Sequence, residues 1–329
     1  MDYNTLFILF VIFIAFVFDF INGFHDAANS IATIVTTGVL TPRQAVLWAA
    51  FFNFIAFLIF NLTVAKTIGS GLIDTDLVNS QFILAALIGA IFWNLVTWYY
   101  GLPSSSSHAL IGGLAGAAIA KGGYTSLKLA GFAKVAAGIF ISPVLGLLIG
   151  FLITHFLTTR LKHKSEEQLD KLFKGFQLFS SALLSLTHGG NDAQKTMGII
   201  AILLFSASWI SGEFYVPFWV VVSCHLVISL GTLAGGWRII HTMGNKITKL
   251  NTLKGCAAET GAAFTIFAAT ECGVPVSTTH TVTGAIAGVG LVSGFYGTHW
   301  KMLRRIFLSW MLTIPAAAMV AAAIMLTLL

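Results

Sequence analysis

The chain reads as a succession of apolar stretches separated by short polar turns. Residues 82–100, 135–157, 216–233 and 306–329 contain no Asp, Glu, Lys or Arg. Each is long enough to cross the hydrocarbon core of a bilayer as a helix, which takes roughly 17–25 apolar residues. Residues 6–20 form a further apolar run near the N-terminus. Asp2 precedes it in place of a basic region, and no small-residue cleavage site follows, so it reads as a retained span and not a signal peptide. No polar interval is long enough to fold as a soluble domain.

In order, the pattern predicts five crossings in each half. The first half holds 6–39, 45–64, 82–100, 105–120 and 130–157. The second holds 176–205, 216–235, 257–271, 277–292 and 306–329. The leading crossing of each half is long and polar in its middle, which predicts an interrupted helix there. The expected fold class is an all-α integral membrane protein, with one repeat over 1–157, a cytoplasmic linker over 158–175 and a second repeat over 176–329.

Composition agrees. Of 329 residues, 57% are hydrophobic and 9% charged, against about 25% charged in a soluble domain. A formal net charge of +6 does not point to nucleic acid, because the basic residues lie in short loops, where membrane topology explains them. Cys224, Cys256 and Cys272 lack CxxC spacing and read as small apolar packing residues.

The chain also contains itself twice. GLPSSSSH over 101–108 resembles GVPVSTTH over 273–280, and NGFHDAANS over 22–30 aligns with HGGNDAQKT over 188–196. The order is the same in both halves, which indicates duplication. An odd number of crossings per half makes the repeats antiparallel, the inverted topology of many secondary transporters. With the linker in the cytoplasm, Arg160, Lys162, Lys164, Lys171 and Lys174 fall inside, as do Arg43, Arg238, Lys246, Lys249, Lys254, Lys301, Arg304 and Arg305. Only Lys66, Lys121, Lys128 and Lys134 fall outside. The positive-inside rule then places both termini outside.

Within this frame, Asp26 and Asp192 occupy equivalent positions at membrane depth. Asn22 and Asn29 lie beside the first, Asn191 and Gln194 beside the second. A buried carboxylate is costly unless paired, neutralised or coordinated, and carboxylate and amide oxygens suit a hard monovalent cation or a proton. The hydroxyl runs form the second element. Pro103 and Pro275 favour helix starts, placing Ser104–Ser107 and Ser277, Thr278 and Thr279 in first turns, where free N–H groups and the helix dipole favour an anion. Two such turns, supplemented by hydroxyls, suit a tetrahedral oxyanion that must also be released. His108 and His280 either orient the hydroxyls or a carboxylate, or donate to a backbone carbonyl. His25 and His188 rank lower because they do not align with each other. Three roles fit Lys195: pairing with Asp192, approaching the anion, or reaching the interface. Glu259 lies near the start of a span, with Asn53 as its counterpart in the other half.

These motifs and their end-to-end duplication resemble the inorganic phosphate transporter (PiT) family, in its bacterial low-affinity permease form. The resemblance implies a symporter of the bacterial plasma membrane that is not an enzyme and needs no organic cofactor. It would import inorganic phosphate, in some relatives as a neutral metal complex, with Na+ or H+ by alternating access. It further implies inverted repeats with short helical hairpins around a central site, often within a homodimer. Carried over by motif, Asp26, Asn29, Asn191 and Asp192, with Asn22, hold the cation, sodium being the candidate metal. Ser105, Ser106, Ser107, Ser277, Thr278, Thr279 and Gln194 hold phosphate. His108, His280, Glu259, Lys195 and Asn53 support them. Asn53 departs from the acidic residue of eukaryotic members, which leaves Na+ against H+ open. A sulfate permease of the same fold is the near alternative, and a passive anion channel the more distant one.

Overall fold

The computed structural model describes residues 2–329, which form twelve α-helices. The first half comprises α1 (Tyr3–Thr36), α2 (Pro42–Ile55), α3 (Thr63–Ser70), α4 (Ser80–Tyr99), α5 (Ser106–Gly122) and α6 (Leu129–Arg160). The second comprises α7 (Glu166–Ser206), α8 (Phe218–Ala234), α9 (Trp237–Asn245), α10 (Thr252–Glu271), α11 (Thr278–Leu291) and α12 (Trp300–Leu328).

Local signals recur at matching places. Asn79 caps α4 by accepting from Phe82 N, and Asn251 caps α10 by accepting from Lys254 N. Both helices end in a left-handed glycine, Gly101 at φ 63° and Gly273 at φ 62°. At each end, bonds such as Leu102 N to Thr97 O and Val274 N to Ala269 O satisfy orphan carbonyls. The chain then reverses through Pro103 or Pro275 into α5 or α11, giving two helical hairpins.

The expected interruption of the leading crossings is not found. α1 runs unbroken for 34 residues and α7 for 41. Their mid-helix Asn, Asp and Gly residues leave the backbone ladder intact, and neither helix contains proline, the residue that would break it. The breaks fall one element later. The chain turns by 82° between Pro42–Leu58 and Thr63–Ser70, and by 73° between Phe218–Ala234 and Trp237–Asn245. The segment 158–175 is also mostly helical. α6 continues to Arg160, and a Ser165–Gln168 capping box starts α7 at Glu166. Glu167–Lys171 and Asp170–Lys174 pairs, each 2.8 Å, support that polar first stretch.

Four helices, α1, α4, α6 and α12, are long and apolar enough to cross a membrane, and six spans result if each bent pair is one. α5 has 17 residues and α11 has 14. At 1.5 Å per residue these are about 26 and 21 Å long, short of a core of about 30 Å, so their ends lie at depth inside the protein. α6 and α12 turn large apolar side chains outward, among them Phe140, Leu152, Phe307 and Met319. The chain is a multi-pass membrane protein.

The halves interlock. α12 packs on α5 and α6 on α11, α8 on α1 and α2 on α7, α9 on α1 and α3 on α7. Every one of these contacts has its partner when the halves are exchanged. Two apolar clusters result. One takes Ile8–Phe18 of α1 with Ala193–Leu204 of α7, and the other takes Ala28–Ile34 of α1 with Leu184 of α7. The buried polar residues of both long helices lie where the clusters meet.

Candidate functional site

α1 and α7 carry the two aspartates, and the hairpins bring the N-termini of α5 and α11 against them. The sequence expectation put Ser104–Ser107 in a first turn begun by proline. Instead Ser105 is the N-cap of α5, its hydroxyl accepting from His108 N at 3.2 Å, and Ser277 caps α11 by accepting from His280 N at 3.1 Å. Pro103 and Pro275 lie in the connectors. Ser106 and Ser107, and Thr278 and Thr279, are therefore the first helical residues, whose N–H groups have no helical acceptor. The two ends converge: the His108 and His280 rings lie 4.4 Å apart, edge to face. His280 also stacks on Trp310, whose Nε1 donates to Pro103 O at 2.9 Å. These histidines thus pin the hairpins together through ring packing.

The hydroxyls link both aspartates. Thr279 donates to Asp26 Oδ1 at 3.3 Å, and Thr278 to Asp192 Oδ2 at 3.1 Å. Asn29 Nδ2 donates to both threonines, at 3.1 and 3.0 Å. Lys195 pairs with Asp192 Oδ1 at 2.5 Å and donates to Val276 O at 2.9 Å and to the Ser107 hydroxyl. Of the three roles open to Lys195, pairing is the one found, and the ammonium also touches the α5 terminus. Asp26, His188 and Asp192 each offer a ligand atom within 4.8 Å of the others. Asn22 Oδ1, Asn29 Oδ1, Asn191 Oδ1 and Ser106 Oγ are buried without a hydrogen-bond partner among the described residues. These are oxygens, the donor type a hard monovalent cation takes, so the donor set fits Na+ as well as a proton.

Two histidines that rank lower in the sequence belong to this cluster. His25 Nδ1 lies 2.7 Å from Asp26 Oδ1, with its Nε2 3.1 Å from Thr97 Oγ1. His188 Nε2 lies 3.3 Å from Asp192 Oδ2, and its Nδ1 3.2 Å from Asn53 Oδ1. The i,i+4 spacing of His188 and Asp192 on one helix was the available signal. Asn53 thus joins the site through His188 and donates to Thr232 at 2.9 Å. It is not the counterpart of Glu259, because Asn53 is on α2 whereas Glu259 is on α10, whose equivalent is α4. Glu259 stands apart from the cluster. Its carboxylate accepts from Thr33 at 2.6 Å, Gln177 at 3.0 Å and Ser180 at 2.5 Å. Asn191 Nδ2 donates to Thr270 at 2.8 Å.

Gln194 is not brought to the hydroxyl turns. Its Oε1 accepts from Val64 N and Ala65 N in the first turn of α3, and its Nε2 donates to Asn61 O and Gly190 O. It stands in for the missing cap of α3, which follows the sharp bend. Replacing Gln194 by Leu is expected to lower stability by about 2–4 kcal/mol through the buried groups left unpaired, with the KM for phosphate little changed. A KM raised more than tenfold with stability intact would return Gln194 to the anion site.

Residues 22–321 match the phosphate transporter family. The chain belongs to that family. A probable low-affinity inorganic phosphate transporter of Rhizobium meliloti is 56% identical over 98% of this chain and 97% of its own length. A protein of Bacillus subtilis with the same description is 42% identical over the same shares. A solved structure titled "The sodium-dependent phosphate transporter" matches with a TM-score of 0.88 and 27% identity, covering 98% of this chain and 99% of that one. These relatives are described as transporters and not enzymes, and the transporter described here shares the fold of the solved structure.

Proposed function

We propose that the protein imports inorganic phosphate by symport with a coupling cation, Na+ or H+. The observation that carries this is the charge balance of the buried cluster. Asp26 and Asp192 bring carboxylate oxygens within 4.8 Å of one another, directly beside two converging helix N-termini. One ammonium pairs with Asp192, and with His25 and His188 as neutral imidazoles against their aspartates one carboxylate charge is left over. The termini favour an anion, but the surplus carboxylate repels it. A mobile cation at Asp26, Asn29, Asn22 and Asn191 removes that repulsion, so anion and cation bind better together than apart. This mutual dependence is what coupling requires. A channel built this way would repel its own uncompensated anion.

The Ser106 hydroxyl, which has no partner among the described residues, and the first-turn amides of Ser106, Ser107, Thr278 and Thr279 supply neutral donors, which hold phosphate without the grip of an arginine clamp. Asp26 or Asp192 can accept a proton from phosphate, which sulfate at neutral pH does not carry. The exchange of contacts between halves supports inverted repeats that rock about the site. The loop charges support a plasma-membrane orientation with both termini outside. A homodimer fits the family resemblance.

The test is uptake of labelled phosphate into proteoliposomes with Na+ and H+ gradients set independently. The reading predicts accumulation driven by one of the two gradients and weak competition by sulfate. Uptake insensitive to both would leave a passive channel and end the symport reading.

A further inference from the structure

The two aspartate motifs differ at one telling place. Asp26 aligns with Asp192, and three residues on, Asn29 aligns with Lys195. The structure keeps the correspondence in space. Asn29 of α1 donates to Thr279 in the first turn of α11. Lys195 of α7 donates to Ser107, the matching residue in the first turn of α5. The same position in the two halves thus reaches across to the other half's hairpin, with a neutral amide in one case and an ammonium in the other.

The ammonium is fully engaged. Its partners are a carboxylate oxygen of Asp192, the Ser107 hydroxyl oxygen and the Val276 carbonyl oxygen, and an ammonium has three protons to donate. Lys195 is among the largest fully buried side chains of the protein. An oxygen shell of carboxylate, hydroxyl and carbonyl is what a small monovalent cation would require at the same point. The equivalent place around Asp26 holds Asn29 and no Lys or Arg; its basic neighbour is the imidazole of His25, as His188 is that of Asp192. There, Asn22 Oδ1 and Asn29 Oδ1 are buried and unpartnered among the described residues.

We propose that Lys195 is a built-in cation that takes the place of a second coupling ion. The duplicated site has two halves. The Asp192 half is permanently neutralised by a charge tethered to α7, which never leaves, and only the Asp26 half exchanges an ion with each turnover. Lys195 thereby sets how many cations accompany each phosphate. It also leaves a positive group beside the α5 terminus when the exchangeable ion is absent, which gives phosphate a partial site on its own. This inference rests on the symport reading above.

The test replaces Lys195 by Asn, the residue of the other half, and measures initial phosphate uptake in proteoliposomes against the driving cation, Na+ or H+. Wild type is expected to respond hyperbolically, with a Hill coefficient of about one, and Lys195→Asn sigmoidally, approaching about two, because two equivalent ions then bind before transport. The half-saturating cation concentration should rise as well. If the variant folds but does not transport, its thermal stabilisation by the cation carries the same readout, the slope against the logarithm of concentration doubling relative to wild type. An unchanged Hill coefficient or slope in the variant overturns the proposal. So does a wild-type coefficient near two, which needs no variant. Wild-type uptake indifferent to both gradients would instead remove the symport reading, so the two failures are distinguishable.

Discussion

Asp26→Asn is expected to abolish gradient-driven phosphate uptake while leaving the protein at least as stable as wild type. Asp26 shares its carboxylate with His25 and the Thr279 hydroxyl, and an amide oxygen keeps an acceptor in the same position. What disappears is charge. Asp192 and Lys195 remain as a balanced pair, and the amide oxygens of Asn22 and Asn29 are left without a carboxylate charge to hold a mobile cation beside them. One unit charge at 4 Å is worth about 4 kcal/mol at an effective dielectric near 20, close to a thousandfold in cation affinity. The substitution also relieves repulsion between two carboxylates within 4.8 Å of each other, so thermal stability should hold or rise, as is common when a strained functional site is neutralised. Asp192→Asn removes the same formal charge with a different outcome. It strands the Lys195 ammonium, buried and unpaired, at a cost of about 3–5 kcal/mol, so this variant should lose stability as well as uptake. Proteoliposome uptake and thermal unfolding, measured on both variants, separate the two effects. Gradient-driven uptake that survives in Asp26→Asn would move the cation site elsewhere, and equal stability of the two variants would deny the Asp192–Lys195 pair its role.

Much of this site was legible in the sequence because of duplication. Asp26 and Asp192, or the serines and threonines, become significant when the same residues return in the same order, and the converging helix ends follow from that pairing. What escaped were residues defined by neighbours distant in sequence. Gln194 belongs to the aspartate motif by position, yet its carboxamide is taken by the first turn of α3, about 130 residues away, and no local pattern announces that turn. His25 and His188 rank lower in the sequence because they do not align, but each reaches its aspartate by a different local route, one from the adjacent residue and the other across one helical turn. Asymmetry within a repeat is a weak signal in the sequence alone, yet at His188 and Lys195 it marks side chains that join the buried cluster. The interrupted helices were misplaced for a related reason. Polar residues in an apolar helix look like a break, but their side chains are satisfied by other helices, and the real bends lie one element later.

Gly116→Ala is expected to be strongly destabilising, although Ala is the better helix former. A Cβ at Gly116 would stand 2.1 Å from Ala318 O of α12, and at the matching Gly288, 2.1 Å from Leu147 O of α6. One turn earlier, Gly112 and Gly284 face Ile314 O and Pro143 O at 2.5 and 2.2 Å. The obstacle in each case is backbone, which cannot rotate aside, so the helices must separate. Overpacking of this kind costs about 1–3 kcal/mol for a tolerant site, and a larger side chain as in Gly116→Leu should exceed that and prevent recovery of folded protein. Close approach of small residues is the main source of helix association in a bilayer, where lipid removes the hydrophobic drive between helices. The contact at Gly116 also holds the α5 hairpin to the other half, so its loss displaces Ser106 and Ser107 from the site. Gly175→Ala on α7 provides the control: nothing lies within 4 Å of its Cβ position, and removing a mid-helix glycine should gain about 0.5–1 kcal/mol. Monodisperse yield and unfolding temperature in detergent are the measurements. A Gly116→Ala variant as stable as Gly175→Ala would mean that α5 and α12 do not meet at backbone distance, and with that the interlock of the two halves would fail.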